Sequence, residues 1–275
     1  MRTRRSVLTL AAASIAVAQE TDTLFVCPMD PGVKSKTPGK CPRCGMILEL
    51  GLPEPLEYRL ITQILPAAPR TGATTSLTFQ IVHPKTGKPV TQFRELHEKL
   101  FHLFLISEDL TYFAHEHPEP LPNGQFRFNT TLPLPGFYRL LADFYPEGGT
   151  PQLLPATIHV KGPRQRFDPA SPVNLKAALR TDPPEPIAGL KTMMFFDLTP
   201  FEGVTPWLGA WGHLLAASAD LVDLVHLHPV WEPYQNTVQF NMIFPRPGKY
   251  KLWAQFQREG VVNTAPFDLT VKSLG

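Results

Sequence analysis

The chain has 275 residues, room for two domains at about 100–200 residues each. Charged residues make up 18% and the net charge is +2, which excludes a nucleic-acid partner and any strong steering field. The 31 prolines and 18 phenylalanines, spread between short apolar runs, argue against long helices and for a mainly β protein.

The first element is a targeting segment. Arg2, Arg4 and Arg5 precede an apolar run from Val7 to Ala18, and Ala16-Val17-Ala18 fits a small-x-small cleavage site. This predicts a signal peptide over residues 1–18 and a mature start at Gln19. The run is short of the ~20 residues that span a bilayer, so the expectation is a periplasmic or secreted protein with no membrane span in the mature chain. Thr3–Leu8, TRRSVL, also resembles a twin-arginine signal, a route that carries folded cargo.

Residues 23–52 hold all three cysteines. Cys41-Pro42-Arg43-Cys44-Gly45 reads as a knuckle in which backbone N–H groups face the thiolates and the glycine permits the turn. Cys27-Pro28-Met29-Asp30 has the same shape with a carboxylate in its second slot. Together Cys27, Asp30, Cys41 and Cys44 form a four-ligand set with structural-zinc spacing. Met29 and Met46 place thioethers beside them, and thiolate with thioether is the soft combination that favours Cu(I). The alternative is one disulfide with a spare thiol, the ordinary use of cysteine in an oxidising compartment. Either serves as the staple that so small a module needs.

The stretch from Phe25 to Met46 resembles the heavy-metal-binding domain of pattern [YF]-x-C-P-M-x-P-x-V…P-G-x-C-P-x-C-G-M. That domain precedes copper-exporting P-type ATPases and occurs in copper and silver efflux adaptors. The resemblance implies a copper or zinc ion as cargo and an efflux pump or another exported metal-handling protein as partner. One position departs: the family usually has histidine after C-P-M, and here Asp30 is the harder ligand, which keeps zinc in view.

Beyond the module the chain repeats itself. His102–Pro118, HLFLISEDLTYFAHEHP, aligns without gaps on His213–Pro229, HLLAASADLVDLVHLHP, at an offset of 111. The repeats run over 56–161 and 174–272, with 162–173 as a proline-containing linker. Each carries short β-branched and aromatic runs separated by Pro, Gly and Asn-Gly turns, the size and spacing of an immunoglobulin-like sandwich. Tyr138 and Tyr250, each after a Pro-Gly pair, fit a tyrosine corner. The expected architecture is a small Cys-knuckle metal-binding module followed by two tandem immunoglobulin-like β-sandwich domains. The repeats also resemble, more loosely, those of secreted proteins that join this module to immunoglobulin-like domains, a likeness that implies no activity.

The duplication keeps a histidine pattern. His102, His115 and His117 recur as His213, His226 and His228. In a strand, residues i and i+2 face one side, so each His-x-His pair presents two imidazoles, and a hairpin brings the earlier histidine to them. Three imidazoles suit Cu(II) or zinc; packing of half-buried rings is the competing reading. Asp109 and Asp220 are second acceptors for the rings or turn residues in Ser-x-Asp-Leu, the turn role being favoured. His97 has no counterpart in the second repeat, where Leu208 stands, and is a candidate extra ligand. His83 and His159 look incidental.

These features point to an exported metal-binding protein, for copper or zinc, in buffering, delivery or resistance. The alternative is an interaction protein of two sandwiches with a zinc-stapled or disulfide-stapled module. With no Ser-His-Asp set, phosphate loop or dinucleotide fingerprint, no enzyme is expected.

Overall fold

A computed structural model describes residues 25–30, 32–51, 56–167, 174–229 and 231–275. The expected signal peptide and residues 168–173 of the expected linker lie outside the described residues. Among the described residues every element is a strand.

The N-terminal module is a three-stranded antiparallel sheet. β1 (Phe25–Val26) lies between β2 (Lys34–Ser35) and β3 (Glu49–Leu50). Its core is small: Cys27, Cys41 and Leu48 are buried, with Phe25 and Val33 packed against them.

The first repeat is a sandwich of two antiparallel sheets. One sheet runs in the order β4 (Arg59–Leu65), β5 (Thr74–Val82), β10 (Phe126–Thr131), β9 (Glu119–Pro120). The other runs β12 (Gln152–Val160), β11 (Gly136–Pro146), β7 (Phe101–Ser107), β8 (Phe113–Glu116), and β6 (Phe93–Arg94) adds to the end of β11. The inner faces meet over Leu77, Phe79, Phe101, Leu103, Leu140 and Phe144, all at or below 1% exposure. Each such side chain contributes about 1.5–3 kcal/mol by leaving water.

The second repeat copies this plan. Its first sheet is β13 (Lys176–Asp182), β14 (Lys191–Thr199), β18 (Thr237–Ile243). Its second is β15 (Val204–Thr205), β19 (Gly248–Arg258), β16 (His213–Ser218), β17 (Leu224–Leu227), with β20 (Val261–Val271) along β19. The tyrosine corner forms in both copies. The Tyr138 hydroxyl donates to the Leu134 carbonyl at 3.0 Å and accepts from the Leu134 N–H at 2.9 Å; the Tyr250 hydroxyl donates to the Arg246 carbonyl at 3.0 Å.

β7 and β16 are buried at every residue, although an outer sheet strand normally alternates buried and wet. Phe101, Leu103 and Leu105 fill the first core. Phe104 and Ile106, on the other face, join Leu141, Leu215, Ala217 and Trp253 in a separate cluster made by both repeats. The Phe113 ring stacks on Trp253 with centroids 4.8 Å apart and planes 8° from parallel. The two repeats thus pack sheet against sheet, and the histidines lie in that seam.

Candidate metal centres

In the module, β1 delivers Cys27, and the turn Cys41–Met46 delivers the other two thiols. The turn is closed by the Cys41 N–H to the Met46 carbonyl at 2.7 Å and the Gly45 N–H to the Cys41 carbonyl at 2.9 Å. Gly45 sits at φ +76°, a region open to glycine at little cost. Backbone N–H groups aim at sulfur as the knuckle reading expects: Asp30 N–H to Cys27 Sγ at 3.3 Å and Arg43 N–H to Cys41 Sγ at 3.4 Å.

All three cysteines are free, and their sulfurs lie within 4.8 Å of one another. Cys27 and Cys44 are 3.4 Å apart, a hydrogen-bond contact far longer than the ~2.05 Å of a disulfide. The Cys44 thiol, donating to Cys27, is the largest influence holding the Cys27 pKa down at about 6, with backbone N–H groups adding to it against burial. Cys44, as the donor, is pushed up. One thiolate is therefore available near neutral pH, and thiolate is the form that ligates metal.

Asp30 is not in this cluster. Its Oδ1 accepts from the Gly32 N–H at 3.2 Å in a local turn, and its Oδ2 is paired with Arg43. A short aspartate beside a tight turn satisfies its own backbone first, so the converging donors are three sulfurs. Met46 is half-buried at the same turn, and Met29 is 42% exposed. The module is tied to the first repeat through Arg94, which bonds Glu49 and, at 3.1 Å, the Tyr145 hydroxyl.

The second candidate centre holds every histidine of the repeated pattern. In the first repeat, the pairing Phe104↔His115 and Leu103↔Glu116 brings the start of β7 beside the end of β8. The ligand nitrogens of His102, His115 and His117 lie within 4.8 Å of one another, as do those of His213, His226 and His228.

Four of the six rings are held by a specific acceptor. His102 Nε2 lies 2.8 Å from the Leu96 carbonyl, and His213 Nε2 lies 2.9 Å from the Trp207 carbonyl. A carbonyl only accepts, so Nε2 carries the proton and Nδ1 keeps its lone pair. Both carbonyls come from tight turns whose central residues have positive φ: His97 (49°) and Glu98 (62°), and Leu208 (51°) and Gly209 (69°). His115 Nδ1 lies 2.8 Å from Gln255 Oε1, and His226 Nδ1 lies 2.7 Å from Asp143 Oδ2. These also take a ring proton, leaving Nε2 of His115 and His226 as lone pairs.

In the first triad the result is a pair of donor atoms with no proton between them, while in the second His228 Nε2 lies 3.0 Å from the His213 Nδ1 lone pair. His102 Nδ1 and His115 Nε2 face each other at 3.0 Å, two lone pairs in contact. His226 Nε2 and His117 Nε2 are buried with no partner. Burial is the first cause that lowers the pKa of all seven histidines in the seam, His97 to about 2, His117 to about 3 and His213 to about 4. Neutral imidazoles with converging lone pairs are what a borderline cation such as Cu(II) or zinc requires.

The aspartates take the turn role. Asp109 Oδ1 accepts from the Ser107 hydroxyl at 2.6 Å and the Thr111 N–H at 3.1 Å; Asp220 Oδ1 does the same with Ser218 at 2.6 Å and Val222 at 3.2 Å. The acidic group at the centre is Asp143, which the sequence reading missed; its only signal was a charge inside the apolar run LLADFY. His97 is drawn in as well, but toward the second repeat, stacked on His228 with centroids 3.5 Å apart. His83 accepts within its own turn, from the Lys85 N–H at 3.2 Å, and His159 packs on Phe137.

Fold and sites together define a class: a two-repeat β-sandwich protein with an N-terminal thiol module and histidines between the repeats. Residues 24–49 match the heavy metal binding domain. Residues 57–162 and 174–273 each match the family described as Domain of unknown function (DUF8832), and the chain belongs to that family. No curated protein matches. Among solved structures it is similar to the Escherichia coli adhesin FdeC at 12% identity, covering 84% of this chain and 71% of that one with a TM-score of 0.29. It is also similar to the Yersinia pseudotuberculosis adhesin InvE (12%, 77% and 58%, 0.26) and to the FN1–FN3 domains of chicken CNTN1 (10%, 90% and 76%, 0.22). No helix among the described residues is long and apolar enough to cross a membrane.

Proposed function

We propose that this is an exported binding protein for copper, with zinc as the competing ion, acting in metal buffering, delivery or resistance. The observation that carries the reading is the trio of free sulfurs, mutually within 4.8 Å, inside a matched heavy metal binding domain. Three sulfur donors without the aspartate form a softer set than the spacing alone suggested, which supports Cu(I). The buried imidazoles form a harder set suited to Cu(II) or zinc. Export is supported by the arginine-led apolar segment at the N-terminus, and two donor sets on one chain suit a carrier that meets both oxidation states. A binding protein is favoured over an enzyme because the imidazoles close on one another in a buried seam and Asp143, the carboxylate bonded to them, is engaged by His226. The partner would be an exported metal-handling protein such as an efflux pump, and Trp231 and Tyr234, 58% and 78% exposed, offer a contact surface.

The test is competition for Cu(I) against a chromophoric chelator under reducing conditions, with cell fractionation of the full-length chain. The wild type should withdraw Cu(I), the Cys27→Ser, Cys41→Ser, Cys44→Ser chain should lose that capacity, and the protein should fractionate outside the cytoplasm. Equal withdrawal by both chains would remove the thiol site from the account, and a cytoplasmic protein would remove export.

A further inference from the structure

The two histidine triads are not separated in space. Rings within a triad lie 4.4–5.8 Å apart by centroid. Rings of opposite triads lie just as near: His115 to His213 5.5 Å, His115 to His226 5.7 Å, His102 to His226 5.8 Å and His102 to His213 6.4 Å. The orienting bonds also cross the seam. His115 of the first repeat is held by Gln255 of the second, and His226 of the second is held by Asp143 of the first. Asp143 and Gln255 are equivalent positions, since Asp143 pairs with His102 and Gln255 pairs with His213 across the same strands. Thr264 bonds the Gln255 amide nitrogen at 3.0 Å, which turns Oε1 toward His115.

We propose that the triads form one dinuclear centre, with two imidazole-bound cations of the Cu(II) or zinc class side by side between the repeats, and with Asp143 and Gln255 as crossed positioning residues. The inference rests on the reading of the imidazoles as metal ligands. Each repeat supplies three ligands for one ion and the residue that aims a ligand of the other, so neither site is complete in an isolated repeat. Two-metal sites elsewhere hold their ions roughly 3.5–4 Å apart, and facing triads at these ring distances can do the same. The two positions are unequal. His226 is held by a carboxylate, which raises the basicity of its free nitrogen more than the Gln255 amide does for His115. His97 covers the same triad by stacking on His228. The ion of the second repeat therefore binds first.

The experiment is a Cu(II) titration of the full chain carrying Cys27→Ser, Cys41→Ser and Cys44→Ser, followed by electron paramagnetic resonance. The first equivalent should give the full signal of one isolated ion. The second should lower the integrated signal per bound copper by more than half, as neighbouring spins couple. Asp143→Asn keeps an acceptor for His226 but removes the charge. It should weaken the first-bound ion by about 10–100-fold, and adding Gln255→Glu should transfer the tighter site to the first repeat, a reversal that a purely structural role would not produce. Two additive signals, or a single bound ion, overturn the dinuclear centre and leave imidazole binding standing. No copper bound to the histidines overturns both. If the serine chain does not fold, zinc-edge anomalous scattering from crystals of the zinc-loaded wild type decides the matter: two peaks about 4 Å apart support the proposal, and one peak, two distant ones or none in the seam overturns it.

Discussion

At Asp143 a carboxylate is 4% exposed and burial raises its pKa to about 6, while the histidines around it are pushed the other way. These opposite shifts fix how the metal-free protein responds to acid. An unfolded histidine takes up its proton near pH 6.5, whereas folded His213 resists until about 4 and His117 until about 3. Their contribution is complete above pH 6.5 and is lost as pH falls toward the folded values, on the order of 3 kcal/mol for His213 alone. Asp143 and Glu116, both raised by burial, act in the reverse sense because the folded state holds their protons more tightly, but they are two groups against seven. Urea unfolding of metal-free protein should therefore show clearly lower stability at pH 5 than at pH 7.5; equal or higher stability at pH 5 would contradict the buried neutral cluster. The convergence of the histidines was legible in sequence, because a period of two in a strand puts His115 beside His117 and the repeat printed the pattern twice. Asp143 was not legible in that way: its partner His226 is 83 residues away, and no local pattern encodes that contact. Asp30 misled for a related reason, since spacing identifies a donor but not the arginine that engages it.

The strands were the most readable elements. The Pro-Gly-x-Tyr corners marked the starts of β11 and β19. The corner has a measurable share in stability. Tyr138→Phe keeps the ring in the core but leaves the Leu134 N–H and carbonyl without their buried partner, a loss of about 1–3 kcal/mol. A lowered urea midpoint with unchanged slope would bear this out, and an unchanged midpoint would show the corner to be incidental. The turns before β7 and β16 were harder to anticipate. His97-Glu98 lacks glycine, and only its structural match to Leu208-Gly209 reveals it as the same two-residue turn, the one that supplies the Leu96 carbonyl to His102.

At the scale of the whole molecule, the pairing of the repeats was hidden in one feature that had a second explanation. FHLFLIS is a continuous apolar run, and such a run marks a strand buried on both faces without saying what covers the second face. The covering surface is the other repeat, through Phe104, Leu141, Leu215 and Trp253. The packing converts two histidine patterns, each explicable as a separate site, into one seam, while the thiol cluster stays in its own module at the edge of the first repeat. The central claim is that one chain carries two chemically distinct metal sites, sulfur and imidazole. The most direct measurement is elemental mass spectrometry of copper-loaded protein, comparing the wild type with the three-cysteine serine chain and with a chain carrying His115→Ala, His117→Ala, His226→Ala and His228→Ala. The account predicts that each variant loses a separate portion of the metal and that the two portions together make up the wild-type content. A wild type that retains no metal after reconstitution under reducing conditions, or a single variant that loses all of it, would contradict the account.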